Sequence, residues 1–306
     1  MNNGLFRHEH PLLFGLIVLG AMGMIFWAGV AFFILRLVHP SPGDLFPPRH
    51  GIGVIEIKGV MISAEEVLAD LADFRADDAV KAVIIRIDTP GGAVGAAQEI
   101  FADIKRTAKV KPVVASMASV AASGGYYAAL GANSIYANPG TMTGSIGVII
   151  EFANLEKIFD KVGYQKEVIK SGVNKDIGSM ARAMTPEERS LLQATVDDVY
   201  QQFIQAVADA RKLSLDTVRP LADGRIFTGS QAKELGLIDH LGNFTAAIDQ
   251  AMELAGLKGE QANLIYPQDK SFSLIDLLTG KATQSAIKLL LPMAPSLMYQ
   301  WTMPAQ

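Results

Sequence analysis

The chain predicts an α/β fold with a largely parallel sheet, set behind one membrane-spanning helix. Three observations carry this expectation. Short β-branched runs alternate with capped helices after residue 51, two of these runs lead directly into glycine-rich turns, and about 24 residues near the amino terminus carry no charge. With 306 residues, the chain is long enough for one or two domains with an adequate core.

The uncharged run covers residues 12–35. As a helix it would span about 36 Å, enough for a hydrocarbon core of about 30 Å with some tilt. A cleaved signal peptide is the alternative, but its apolar region would be unusually long, and apolar residues continue past the small stretch at 28–31. The run therefore reads as an uncleaved anchor. Charge decides the orientation poorly, because Arg7 and Glu9 precede the span while Arg36 and Arg49 follow it. Residues 39–50, HPSPGDLFPPRH, are proline-rich without apolar periodicity and form a semi-stiff linker.

Residues 53–62 (GVIEIKGVMI) are β-branched and alternating, hence a strand. Ser63 and Glu66 have the spacing of a capping box, opening a helix to about Phe74. Residues 82–88 (AVIIRID) form an almost continuous apolar run, as a strand covered on both faces requires. DTPGG (88–92) is a turn, with a helix to about Thr107 after it, and KPVVASM (111–117) is a second buried strand. YQKEVI (164–169) reads as a strand leading into the loop KSGVNKDIGS. Thr185 and Glu188 form a second capping box, with Pro186 at the first helical position, and start a long helix to about Lys212. From residue 268 onward apolar groups are scattered with weak helical periodicity. Packing on the body or a subunit, contact with the membrane surface and contact with a substrate groove all stay open for this tail.

Composition removes several classes. With 27 basic and 31 acidic residues and no long basic run, nucleic acid is not the expected partner. The lack of cysteine excludes disulfides, thiolate nucleophiles and cysteine-ligated zinc. Four of the five histidines (8, 10, 39 and 50) lie in the first fifty residues. A multi-histidine metal site in the body is thereby excluded, and a Ser–His mechanism would rest on His240 alone.

The chemistry concentrates in the two glycine-rich turns, since ligands gather at the carboxyl ends of strands in open α/β sheets. Gly91 and Gly92 lack β-carbons, so their amides can approach a substrate oxygen. Ser123 precedes Gly124 at the start of the apolar helix GGYYAAL, whose free N–H groups favour negative charge. It is either a helix cap or a nucleophile flanked by the amides of Gly92 and Gly124. A lysine can act as its base if burial brings the lysine pKa from about 10.4 to about 7, a cost of about 4–5 kcal/mol. Lys170 and Lys175 both lie in the glycine-bounded loop at 170–179.

Taken together, DTPGG, SVAASGGYY (119–127), TMTGSIGV (141–148), KSGVNKD (170–176) and DGRIFTGSQAKELGLIDHLG (223–242) resemble the signal peptide peptidases of the SppA type, in colinear order over residues 51–257. The single Ser- and Lys-bearing unit is similar to the short form of that family. The resemblance implies a Clp peptidase/crotonase-like spiral of ββα units. It also implies a membrane-tethered serine endopeptidase with Ser123 as nucleophile, Lys175 as general base, Gly92 and Gly124 as oxyanion hole and Ser145 orienting the base. Lys170 falls outside the catalytic position and takes a structural or surface role.

On the same resemblance, the substrates are remnant signal peptides and unfolded polypeptides, and no cofactor or metal is needed. The assembly is a homo-octamer whose Ser and Lys come from neighbouring subunits. The location is the bacterial cytoplasmic membrane, single-pass, with the catalytic domain on the periplasmic side. The organisation expected is an amino-terminal segment (1–38) with its anchor, the linker (39–50), a peptidase domain (51–260) and a tail (261–306). A crotonase-like acyl-CoA enzyme and a catalytically silent membrane scaffold are the alternatives. Neither needs Ser123 and Lys175 together.

Overall fold

The computed structural model describes residues 11–38, 50–268 and 298–300. The chain divides into two compact units, Met1–Arg49 and His50–Gln306. In the first, helix α1 (Pro11–Val38) contains a stretch, Leu12–Phe32, of mean hydropathy 2.2. By length and composition it can cross a membrane. The linker at 39–49 lies outside the described residues.

The second unit is the expected α/β body. Strands β1 (Gly51–Lys58), β2 (Val80–Thr89) and β4 (Val113–Ala122) run parallel side by side, β1 with β2 and β2 with β4. Their apolar residues point both ways, which explains the unbroken runs in the sequence. Ile55, Ile85, Ile87, Ala115 and Met117 belong to a large core shared with α2 (Glu65–Ala76), α3 (Val94–Thr107), α4 (Gly124–Ala129) and α6 (Pro186–Arg211). Ile52, Val54, Ile84 and Val114 face a second core closed by Ala247, Ala251 and Met252 of helix α9 (Phe244–Leu254). Burial on both faces selects β-branched residues at every position, not at alternate ones.

DTPGG is more than a turn: its last residues begin the short strand β3 (Gly91–Ala93), which leads straight into α3. β2, β3 and α3 therefore form one ββα unit. Strand β4 bends. Ile87 pairs with Met117 but Thr89 pairs with Ala121, so four residues of β4 oppose two of β2. The extra residues form a bulge, and the Val120 N–H within it is held by the Asp88 carboxylate at 3.0 Å. Beyond the bend, β4 pairs with β6 (Met142–Gly144), while its first half pairs with β5 (Ser134–Ala137).

The remaining elements complete the body: α5 (Glu156–Val162), α7 (Leu215–Val218), β7 (Ile226–Thr228), α8 (Gly229–Glu234), β8 (His240–Leu241), β9 (Leu264–Ile265) and β10 (Met298–Gln300). Strand β9 lies parallel to the outer edge of β1, so residues just after 260 are part of the sheet.

Several expectations need correction. The first helix begins at Glu65, with Ala64 as its N-cap; the Ser63 hydroxyl accepts from Glu65 N at 3.2 Å and builds no capping box with Glu66. The second box is present, Thr185 Oγ1 accepting from Glu188 N while Glu188 accepts from Thr185 N. Residues 164–169 are not a strand. Each of them is exposed and they pair with no described strand of this chain, so their alternating pattern has no ladder to join. In the tail, residues 298–300 form strand β10; residues 269–297 and 301–306 lie outside the described residues.

Candidate active site

Ser123 follows the last residue of β4 and stands immediately before α4. Its backbone adopts φ 53° and ψ −113°, a sparsely populated conformation for a residue with a β-carbon. Such strain costs on the order of 1–3 kcal/mol and persists only where the surroundings over-determine it. The determinants are visible: Ser123 N donates to Gly144 O at 2.8 Å, and Ser123 O accepts from Tyr127 N at 2.8 Å. The residue is 1% exposed. Although it occupies the N-cap position, its side chain caps nothing, so the cap reading of the sequence fails.

Ser145 stands beside it for the same reason of register. Ala122 pairs with Gly144 in the parallel β4–β6 ladder, which places the next residues, Ser123 and Ser145, side by side at the strand ends. Ser145 is also buried, with φ 50°, and its N–H is held by Arg225 O at 2.8 Å.

Strand β3 brings Gly91 and Gly92 to the same place. Thr89 Oγ1 accepts from Gly91 N at 3.1 Å and donates to Gly59 O. Met61 flanks one edge of β3, with Met61 N donating to Gly91 O at 2.9 Å and Ala93 N to Met61 O at 2.7 Å. Gly91 has φ 107°, which only glycine adopts without strain, and a β-carbon there would come within 2.9 Å of Gly124 N. Gly124 is the first residue of α4, so its N–H has no acceptor within that helix. Ser123, Ser145, Gly92 and Gly124 thus converge at the carboxyl ends of β2, β4 and β6, as open α/β sheets favour.

Lys175 is not part of this cluster within one chain. It lies in a single 3-10 turn, Val173–Asp176, is exposed, and makes no side-chain hydrogen bond with Ser123 or Ser145. The loop carrying it is nonetheless well braced. Lys170 Nζ donates to Asp176 Oδ1 at 2.5 Å and to Val173 O at 2.8 Å. Arg182 joins Asp176 at 3.0 Å to Glu188 at 2.5 Å, tying the loop to the capped start of α6. The Arg182 guanidinium, and then Lys170, hold the Asp176 carboxyl well below the usual range, and Arg182 brings Glu188 down to about 2. Sequence reading missed Arg182, though its sixfold spacing from both acids is legible once the loop is known to fold back.

Other residues of the last motif are structural. Arg211 grips Asp239 through two bonds, at 2.9 and 2.7 Å, and donates to Gly236 O at 2.9 Å. Tyr126 Oη donates to Leu237 O at 2.9 Å, fastening α4 to the same segment. His240 stacks on Tyr136, with ring centroids 4.7 Å apart, and is no partner of Ser123. Among the described residues no group of three or more His, Asp or Glu is placed to hold a metal.

Comparison with known proteins then decides the family. Residues 105–258 match peptidase family S49. The chain is 45% identical over 238 residues to a Synechocystis sp. protein that bears a protease name, covering 77% of this chain and 85% of that one. This chain belongs to peptidase family S49. It is also 38% identical over 230 residues to the chloroplastic serine protease SPPA of Arabidopsis thaliana, spanning 74% of this chain but 34% of that longer protein. Among solved structures it is similar to a ClpP1 mutant from Listeria monocytogenes, with 17% identity and a TM-score of 0.45, over 64% of this chain and 94% of that one. The α/β class expected from the motifs stands, on the family and on the parallel sheet itself. Of the three functional classes weighed from the sequence, family membership supports the peptidase.

Proposed function

We propose that the chain is a membrane-anchored serine endopeptidase with Ser123 as nucleophile and Lys175 as general base. The observation that carries this reading is the strained, buried, uncapped Ser123 beside the Gly91–Gly92 strand and the first amide of α4. In the proposed reaction Ser123 Oγ attacks the peptide carbonyl carbon, and its proton passes to the neutral Lys175 amine. The oxyanion is held by the amides of Gly92 and Gly124. The lysine then protonates the departing amine, and water, deprotonated by the same lysine, resolves the acyl-enzyme. Ser145 orients the lysine amine.

The exposure of Lys175 in a single chain supports a dyad shared between neighbouring subunits, with the base desolvated at their contact. Residues near it favour such a contact: Ile169 is fully exposed and Val173 largely so. The assembly is an octamer on the family resemblance. The substrates are remnant signal peptides and unfolded secreted polypeptides, met at the inner membrane by a domain on its periplasmic side. The apolar helix α1 supports the anchoring.

The test compares full-length wild type, Ser123→Ala and Lys175→Ala in detergent, on an unfolded protein and on a leucine-rich signal-type peptide. Each variant is expected to lose at least about a thousandfold in kcat/KM. Cleavage at wild-type rates by both would overturn the assignment.

A further inference from the structure

Thr89 is the last residue of β2 and is fully buried. Its hydroxyl closes a crossing of three backbone segments. Oγ1 donates to Gly59 O and accepts from Gly91 N at 3.1 Å. Around it, Gly59 N donates to Asp88 O at 3.1 Å and Met61 N to Gly91 O at 2.9 Å. The turn after β1 is thereby stitched to the start of β3, and one of the stitches is a side chain. Gly91 and Gly92 both lack a β-carbon, and so permissive a backbone needs its direction fixed from outside.

The methyl of the same side chain faces the other glycine turn. A β-carbon on Gly125 would lie 2.7 Å from Thr89 Cγ2 and 3.2 Å from Thr89 O, so the first turn of α4 rests directly on Thr89. Thr89 also pairs with Ala121, just beyond the bulge of β4. One side chain therefore touches both elements that carry the proposed amide donors: β3 with Gly92, and α4 with Gly124. Met61 closes a third side, its Cε 2.8 Å from where Gly124 would carry a β-carbon. Without the hydroxyl, Gly91 N–H would lose that acceptor and Gly59 O that donor, in a buried place where an unmade hydrogen bond is costly. The amide so released is one peptide unit from that of Gly92.

We propose that the Thr89 hydroxyl is the positioning group of the oxyanion hole, fixing the direction in which β3 presents the Gly92 amide beside that of Gly124. The inference rests on the peptidase reading, which supplies the oxyanion. Thr89 itself touches no substrate. It acts on the transition state, because charge gathers on the carbonyl oxygen only as Ser123 attacks. An amide turned out of line still tolerates a neutral carbonyl, but it loses much of its hold on the developing anion. Loss of the hydroxyl therefore falls on kcat and leaves KM alone.

The test follows full-length Thr89→Val, Thr89→Ala and Thr89→Ser in detergent on an unfolded protein and a leucine-rich signal-type peptide, with wild type and Ser123→Ala alongside. Thr89→Val keeps the shape and loses both hydrogen bonds, so kcat should fall about thirtyfold with KM within about twofold. Should that variant not fold, Thr89→Ala removes the hydroxyl without bulk to place and should show the same loss. Thr89→Ser keeps the hydroxyl and should hold kcat within about threefold of wild type. A second readout is the affinity for a peptide aldehyde, whose carbonyl carbon takes Ser123 Oγ and whose oxygen then occupies the hole. It should weaken by the same factor as kcat/KM, a change that a role in stability alone would not produce. Wild-type kcat in a folded variant without the hydroxyl overturns the proposal. So does a serine variant as impaired as the valine one. Failure of the peptidase reading would show differently, as wild type and Ser123→Ala processing the unfolded protein alike.

Discussion

Ser123 follows directly on a strand buried on both faces, whereas every residue from 163 to 175 on the way to Lys175 is exposed. Around the serine, three strand ends, a bulge and two glycine turns meet with their backbone groups paired, and a strained backbone angle survives because neighbours hold it. Around the lysine, the chain has one 3-10 turn, no strand partner and a single charged clamp. A nucleophile is useful only when its surroundings are rigid, and a single chain can supply that rigidity. A neutral lysine needs its water removed, and here one chain leaves it in water. On the proposed dyad, one chain builds the serine's half of the site and leaves the lysine's half in solvent.

The largest effect should come from joining the halves across chains. Ser123→Ala and Lys175→Ala chains, each expected to be inactive alone, should on verified random mixing recover about a quarter of wild-type activity, because on the proposed dyad each site draws one residue from each of two subunits. No recovery in mixed oligomers would break the comparison, by placing both residues of a site in one chain.

The rigid half is sharpened by Gly91→Ala. The new methyl would meet Tyr299 O at 2.0 Å and Gly124 N at 2.9 Å, at a φ of 107°. A loss of about a hundredfold in kcat is expected from displacing the amides of the proposed oxyanion hole, together with a lower Tm. Wild-type kcat would show that this rigidity is not needed for the chemistry.

The smaller effect lies on the loop. Arg182→Ala releases Asp176 from Glu188 and should lower kcat about tenfold with KM nearly unchanged, while Arg182→Lys restores part of it. A change confined to KM would mean that the clamp serves substrate binding instead. The clamp's pH dependence has a definite sign. Asp176 and Glu188 are both depressed, so its contribution is fully present above the ordinary carboxylate range of about 4 and is lost as pH falls through the folded values, near 2 for Glu188. Limited proteolysis of the loop should accordingly be constant from pH 5 to 9 and rise only under strong acid. Loosening at pH 5 would assign the brace to other groups.

Much of this was legible in the residues. Strands β1, β2 and β4, the box at Thr185–Glu188 and the glycine turns are local signals, set by side-chain shape and backbone freedom within a few positions. Misreadings occurred where a pattern needed a partner that one chain does not provide, as in the exposed alternation at 164–169, or where Ala64 displaced Ser63 at the helix start. The packing of Tyr299 on Tyr127 and Phe203 has no local signature, because the three lie 76 and 96 residues apart in order. The only hint was the paired tyrosines at the start of GGYYAAL.

The sequence by itself determined the main buried strands and capped helices, the apolar anchor-like helix, the family and the candidate residues, because each depends on short-range periodicity or a contiguous motif. Tertiary structure alone decided that Ser123 and Ser145 stand side by side, that Lys175 is exposed, and that residues 298–300 pair with β3 while Tyr299 packs on Tyr127 and Phe203. Those facts follow from strand register and from packing between distant segments, and neither is written in any local stretch of chain.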